Sequence, residues 1–307
     1  MRLRFAVVRV CLCLCAVVAG GCGLGDRQDR AERIRGARAT AVQEETASGV
    51  LTLELSRDPD MAAAVPAGSD AAEMLAAVPM SATLAVHVDI DFAAQRARVV
   101  PANVPDAGGS VFDRTTLFVR RSNLRPSEKR VWAKLDFEGL PEDEPRFHPP
   151  EDDLNSELIA AATAINPAHV VDLAVGALAG SVTQLGREDL DGVMTTKYEA
   201  NVSIDRALTE LDLDDAHRAT RELMLRLLLG LNEDVRPGQF WIDDDGRLRK
   251  ARLELRQRVS RNESNDLVLT LTLPAYGAAV DIPSPTSEEI VEVGEFGRIV
   301  RAALPKP

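Results

Sequence analysis

Cysteine is scarce in this chain of 307 residues and is confined to its first 22 positions. The four cysteines are Cys11, Cys13, Cys15 and Cys22. Because none follows Cys22, the rest of the chain can form no internal disulfide and offers no thiol nucleophile. A disulfide-stapled scaffold and a cysteine-dependent enzyme are therefore excluded for that part of the sequence.

Aromatic residues and excess positive charge are also lacking. Aromatics make up only 4% of the chain, and the formal net charge at pH 7 is −12. Few rings are available to stack on bases, and an acidic surface repels phosphates. We therefore expect no nucleic acid among the partners. With 45% hydrophobic and 27% charged residues, the composition is that of a globular protein.

The residue patterns of catalytic and metal sites are missing as well. The sequence has no Gly-x-Ser-x-Gly motif and no phosphate-binding glycine loop. None of the histidines has the spacing of a metal ligand. The aspartates at 243–245 could be calcium ligands, but a hairpin turn uses such residues routinely and is the favoured interpretation. We expect no enzyme, no metal and no cofactor. The histidines are His87, His148, His169 and His217.

The first 22 residues have the organisation of an export signal. Arg2 and Arg4 precede an apolar run that ends near residue 18, about half of the roughly 20 residues that a membrane-spanning helix needs. The sequence Ala-Gly-Gly-Cys at 19–22 resembles the bacterial lipobox, whose cysteine receives a lipid with acyl chains such as palmitate. An ordinary secretory signal with an incidental cysteine is the alternative. The favoured prediction is a lipoprotein held on the extracytoplasmic side of the cell membrane through Cys22.

With an export signal at its start, the chain is predicted to consist of four segments. Residues 1–21 would be the signal peptide, and the polar residues 22–47 a lipidated tether that turns helical near Ile34. Residues 48–293 would form the domain, and residues 294–307 a C-terminal tail.

Period-two alternation dominates the predicted domain and indicates strands of a sheet with one buried face. Leu51, Leu53 and Leu55 alternate with polar residues, and residues 84–91 alternate in the same way. The Asp-Gly pair at 245–246 predicts a hairpin turn, so the late strands should form an antiparallel meander. Further strands are predicted at 115–120, 130–137, 193–204, 239–243, 248–259 and 266–273.

Two helical segments interrupt these strands, which makes the fold class α+β. Residues 167–180 begin with Pro167, a residue that a first helical turn accepts, and are apolar on all sides. Residues 205–230 carry leucines at helical spacing and should form one long helix. Helices as apolar as these are buried or face an apolar ligand.

Four segments together resemble a known family. They contain the sequences WAKLDF within 116–137, GREDLDGVMTTKYEANV within 186–208, FWIDDDGRLR at 240–249 and YGAAVDIPSP at 276–285. In order and spacing they are similar to the LppX/LprAFG-type actinobacterial lipoproteins and the wider LolA-like superfamily. The resemblance implies a curved antiparallel sheet, unclosed and half-barrel-like, with helices packed on its concave face. It also implies an apolar cavity that binds, and in transport proteins carries, lipids or lipoglycans.

The candidate ligand-binding residues come from the two apolar helical segments. Bound acyl lipid would be the only ligand. Apolar helices on a sheet also form an ordinary filled core, which stays open as the alternative. In that case the chain would be an envelope scaffold or sensor lipoprotein that binds a protein partner through the acidic, proline-rich residues 138–153. The candidate lining is Val171, Ala174, Val175, Leu178, Leu223 and Leu227.

Overall fold

The computed structural model describes the greater part of the predicted domain. Cys22, residues 138–153, Leu223 and Leu227 lie outside the described residues, so the predictions made for them stay predictions. The described residues are 25–57, 81–102, 109–120, 132–136, 165–211, 213–214, 217–219, 221–222, 225, 235–258 and 264–291.

A single sheet organises this part of the chain. Its strands lie side by side in the order β12-β6-β5-β4-β3-β2-β1-β11-β10-β9-β8-β7. Neighbouring strands are antiparallel, except that the short β12 is parallel to β6. Within the described residues the outermost strands, β12 and β7, do not pair with each other, so the sheet is unclosed. The strands are β1 (Thr46–Arg57), β2 (Ser81–Asp91), β3 (Arg96–Pro101), β4 (Ser110–Asp113), β5 (Thr116–Arg120), β6 (Trp132–Asp136), β7 (Thr183–Leu190), β8 (Val193–Ser203), β9 (Val235–Asp243), β10 (Leu248–Arg258), β11 (Ser264–Tyr276) and β12 (Ile290–Val291).

Four helical elements accompany the sheet in the described residues. Helix α1 covers residues 25–43. Helix α2 (Pro167–Leu173) continues into 3-10 turns at Ala174–Gly176 and Ala179–Ser181, and helix α3 is Ile204–Glu210. The described residues of helix α4 are 217–219, 221–222 and 225. None of the helices seen in these ranges combines the length and the apolarity that crossing a membrane requires.

The helices cover one face of the sheet, which we call the inner face. Apolar side chains from β5 on one side to β8 on the other share one buried cluster with residues of α1 and α2. Helix α1 contributes Ala31, Ile34, Ala37 and Ala41, which are fully buried and recur at helical spacing. The predicted fold class, a curved unclosed antiparallel sheet with helices on its concave face, is confirmed.

The sheet has two ends that differ in their connections. The hairpin end holds the β2–β3, β7–β8 and β9–β10 turns and the turn from α1 into β1. Gly246, with a φ of 84°, lies in the β9–β10 turn and confirms the predicted hairpin. At the other end β1 and β10 finish, β2 and β11 begin, and β8 leads into α3. We call this the α3 end.

The outer face of the sheet is partly covered by the chain that follows β11. Val280 and Ile282 of this segment pack on Val111 of β4 and Phe118 of β5. The segment then adds β12 beside β6. Val111 and Phe118 are thereby removed from water without any helix.

The predicted long helix over 205–230 is wrong in its continuity. Helix α3 ends at Leu211, which serves as its C-cap. A new helical segment then begins after Asp214, because the Asp214 carboxylate accepts a hydrogen bond from the backbone N–H of His217 at 3.0 Å. A capping carboxylate of this kind satisfies backbone donors at a helix N-terminus. At residues 213–214, between α3 and the described part of α4, the chain is therefore outside helical conformation.

The predicted tether also differs from the structure over most of its length. Residues 25–43 form α1 and belong to the folded domain, because four of their side chains lie in the core. The buried face of α1 consists of three alanines and one isoleucine. Because alanine is only weakly hydrophobic, this face gives little signal in the sequence.

Close backbone contact between β1 and β11 generates a stability prediction at Gly49. A Cβ atom at Gly49 would lie 1.9 Å from the carbonyl oxygen of Thr272. Gly49→Ala should lower the free energy of unfolding by about 2 kcal/mol or more, because the backbone must shift. Gly36→Ala is the matched control: that Cβ meets nothing within 4 Å, and alanine favours a helix by about 1 kcal/mol. Urea unfolding of both variants checks this, and equal effects would contradict it.

Candidate functional site

The inner face carries a row of leucines on the central strands. Leu53 of β1 pairs in register with Leu269 of β11, which pairs with Leu253 of β10. All three are 0% exposed. These side chains form the floor of the layer between sheet and helices.

Burial falls off at two neighbours of this row. Leu84 of β2 pairs with Leu53 and so continues the same row, and Leu267 of β11 pairs with Leu255 of β10 one row closer to the α3 end. Leu84 and Leu267 are half-buried and pack against the core, whereas Leu255 is buried. We call Leu84, Leu255 and Leu267 the apolar rim. It is the place where the apolar inner face reaches accessible surface at the α3 end.

The described members of the predicted lining lie in the helix layer opposite this face. Val171 and Ala174 are 0% exposed and belong to the same cluster as the sheet leucines. Val175 is buried and Leu178 is half-buried. Leu225, which is also fully buried, brings α4 into this core. That these residues contact a ligand stays a prediction.

Local sequence explains why α2 lies where it does. The Asn166 side chain accepts a hydrogen bond from the backbone N–H of Ala168, and Pro167 occupies the first turn as predicted. Gly176 then allows close packing, because a Cβ there would lie 2.3 Å from the carbonyl oxygen of Ser203. The helix layer is thus held close to the end of β8.

A buried charge cluster joins three helices, and sequence reasoning missed it. Asp172 of α2 is 6% exposed. One carboxylate oxygen lies 2.7 Å from Nε of Arg38 in α1, and the other lies 2.5 Å from Nη1 of Arg221 in α4. Buried charges are normally paired. The presence of one acidic residue in the apolar segment 167–180 was the signal that could have revealed this cluster.

His169 lies beside the same cluster and is buried. Its Nε2 atom is 3.4 Å from Nδ2 of Asn166. Burial, and secondarily the positive charge of Arg221, lowers the pKa of His169 well below its ordinary value of 6.5. In the fold this histidine is a buried part of the helix layer.

A second arginine of α1 secures the 3-10 segment after α2. The Arg35 guanidinium donates to the carbonyl oxygen of Ala177 from Nε at 3.1 Å and from Nη2 at 2.9 Å. Ala177 in turn forms a β-bridge with Val202 of β8. Helix α1, the segment after α2 and the α3 end of the sheet are therefore connected by polar contacts as well as by packing.

The aspartates considered as calcium ligands serve the β9–β10 hairpin. Asp243 accepts hydrogen bonds from the backbone N–H groups of Asp245 and Arg247, and its second oxygen lies 2.7 Å from Nε of Arg249. Its acceptor oxygens are thus occupied by protein donors. The described residues contain no group of three or more histidines, cysteines or carboxylates that could hold a metal ion.

Trp241, from the FWIDDDGRLR motif, lies on the outer face and away from the helix layer. The ammonium groups of Lys197 and Lys250 lie 4.6 Å and 4.7 Å from its ring centroid. Its indole N–H donates to Glu188 at 2.7 Å. Cation–π contacts and this hydrogen bond stabilise the β7–β10 half of the sheet.

The chain path resembles that of two mycobacterial lipoproteins. LppX of Mycobacterium tuberculosis is 13% identical, with a TM-score of 0.42 over 83% of this chain and 99% of that chain. LprF of Mycobacterium bovis is 14% identical, with a TM-score of 0.37 over 85% and 98%. Both solved structures are of the type that the four motifs resemble.

A third match is the Pseudomonas aeruginosa MucA/MucB complex. It is 10% identical, with a TM-score of 0.33 over 86% of this chain and 62% of that chain. No family model matches the sequence, and no curated protein matches it significantly.

Removal of the Asp172 carboxylate should be costly. Asp172→Ala would leave Arg38 and Arg221 without their shared partner, and loss of one member of a buried pair costs about 3 kcal/mol or more. Asp244→Ala is the control, because Asp244 pairs with Arg187 at 2.7 Å but its side chain is 70% exposed, and exposed pairs contribute about 0.5 kcal/mol. Chemical denaturation measures both. Similar losses in the two variants would contradict a structural role for the cluster.

His169 should make stability depend on pH. Because its folded-state pKa is lowered, the unfolded chain binds a proton more readily below the ordinary value of 6.5. The contribution of neutral His169 to the free energy of unfolding is complete above pH 6.5 and is lost as the pH falls toward the folded-state pKa. The free energy of unfolding then changes by up to about 1.4 kcal/mol per pH unit. Urea titrations at several pH values should show a shallower slope for His169→Phe. Identical slopes for the two proteins would show that this histidine does not contribute.

Proposed function

We propose that this chain is a lipid-binding envelope lipoprotein that holds acyl chains between the inner face of the sheet and the helix layer. The observation that carries the proposal is the change in burial along the inner face. Leu53, Leu253 and Leu269 have no exposed surface, whereas Leu267, one row nearer the α3 end, and Leu84, beside Leu53 on β2, do. Acyl chains would approach the layer across this rim.

The chemistry of the layer suits an acyl chain. Each buried methylene contributes about 0.8 kcal/mol, so binding requires neither an ion pair nor a reaction. The one buried carboxylate on α2, that of Asp172, is already paired with two arginines. Of the proposed lining, Val171, Ala174, Val175 and Leu178 belong to the helix layer, and the proposal extends to Leu223 and Leu227. The protein would bind its ligand without catalysis.

The proposed location follows from the lipobox. Lipid on Cys22 would hold the domain at the extracytoplasmic side of the cell membrane. A lipid or lipoglycan in that membrane would then be the ligand, with its headgroup outside the apolar layer. Transport of such a lipid is the further step that this arrangement permits.

Lipid analysis of a soluble form tests the proposal. A chain lacking residues 1–22 has no anchor of its own, so lipid that survives stringent washing must be held by the fold. Mass spectrometry of protein from its native host should find one defined lipid class near equimolar amounts. A lipid-free protein would contradict the proposal and favour the scaffold function assigned to residues 138–153.

A pair of neighbouring substitutions on β11 tests the site. Leu267→Asp places a carboxylate in the rim, and should lower lipid content at least about tenfold because an acyl chain cannot solvate it. Val268→Asp is the matched control: Val268 is also half-buried but points to the outer face. Lipid mass spectrometry and circular dichroism of both variants provide the comparison. Equal lipid content in two folded variants would remove the rim from the site.

A further inference from the structure

The short distance between Cys22 and the folded domain restricts how the domain can lie on a membrane. Helix α1 already includes residue 25. Three residue steps separate it from Cys22, and three steps span at most about 11 Å. A flexible tether of about 25 residues would have an end-to-end distance near 28 Å and would leave the domain free to turn. The packed helix removes that freedom.

The direction of α1 determines which end of the sheet lies near the anchor. At the C-terminal end of α1, Glu44 is ion-paired with Arg247 in the β9–β10 turn at 2.7 Å, which places it at the hairpin end. Nine residues earlier, Arg35 donates to Ala177, which bridges to Val202 near the α3 end. The ten residues before Arg35 extend the helix by about 15 Å more. The helix therefore runs from the hairpin end toward the α3 end, and its first residues lie beyond that end.

The beginning of α1 suits a headgroup layer. Residues 25–29 are exposed, and Asp26, Arg27 and Asp29 are charged. Such residues stay in water or among headgroups, because charged side chains are expensive in the hydrocarbon core. The lipid on Cys22 would thus lie in the membrane while α1 begins at its surface.

We infer that the α3 end faces the bilayer that carries the Cys22 lipid, and that the apolar rim of Leu84, Leu255 and Leu267 is presented to that bilayer. The inference rests on the proposed function for the meaning of the rim, but the orientation follows from the anchor and α1 alone. Lipid would then pass between bilayer and protein over a short distance, without the domain leaving the surface.

Fluorescence quenching on vesicles tests the orientation. The full chain, with its lipid on Cys22 verified by mass spectrometry, is placed on vesicles of phosphatidylcholine and phosphatidylglycerol. A single label is attached at Ser81→Cys or at Ala94→Cys, exposed positions at the α3 end and the hairpin end of β2. Brominated phosphatidylcholine should quench the Ser81 label several-fold more than the Ala94 label.

A longer tether is the control for the cause of this difference. A flexible Gly-Ser insertion of about 20 residues between Leu24 and Gly25 should abolish the difference, because it allows the domain to move about 25 Å from its anchor. Equal quenching of the two labels, stronger quenching at Ala94 or an unmodified Cys22 would overturn the inference. Lipid analysis of the soluble form is an independent test. Retained lipid without a quenching difference would contradict only the orientation. A quenching difference with a lipid-free soluble form would contradict only the lipid-binding function.

Discussion

The structure depends on one constraint: an unclosed sheet with an apolar inner face cannot bury that face by itself. A sheet closed into a barrel would not need a second layer over this face, but β7 and β12 do not pair with each other within the described residues. Helices α1, α2 and α4 therefore supply the second layer, and their apolar residues join the sheet in one core. The helix layer leaves Leu84 and Leu267 of the sheet half-buried, and there we propose that an apolar ligand binds.

The helix layer is held by polar contacts that the sheet does not require. Asp172 connects α1, α2 and α4 through Arg38 and Arg221, and Arg35 connects α1 to the chain after α2. Paired buried charges fix geometry more than they add stability. The polar groups lie within the helix layer, so the leucine surface of the sheet stays apolar. The polar residues therefore fix the position of the helices, and the leucines of the sheet provide the apolar surface.

Most strands with one buried face were predictable, because alternation reveals them: β1, β2, β5, β6 and β8 to β11 appear where the sequence placed them, whereas the short β3 and β4 have no counterpart among the predicted strands. Strand β7 was not predicted, because it is exposed on both faces and has no alternating pattern. Helix α1 lies where the sequence predicts a tether, since alanines carry most of its buried face and give it low hydrophobicity. In the Asp172 cluster, Arg38 contacts Asp172 although the two residues are more than 100 positions apart along the chain. No local sequence pattern encodes such a contact.

An acyl chain bound between the sheet and the helix layer can be located by NMR. Leucine-methyl NMR spectra recorded with a doxyl-labelled stearic acid would report proximity to the spin label. We expect strong broadening for Leu84, Leu255 and Leu267, and none for Leu248, which is buried at the hairpin end, or for Leu185, which is exposed on β7. Uniform broadening, or broadening confined to exposed leucines such as Leu185, would contradict an acyl-binding layer at the α3 end.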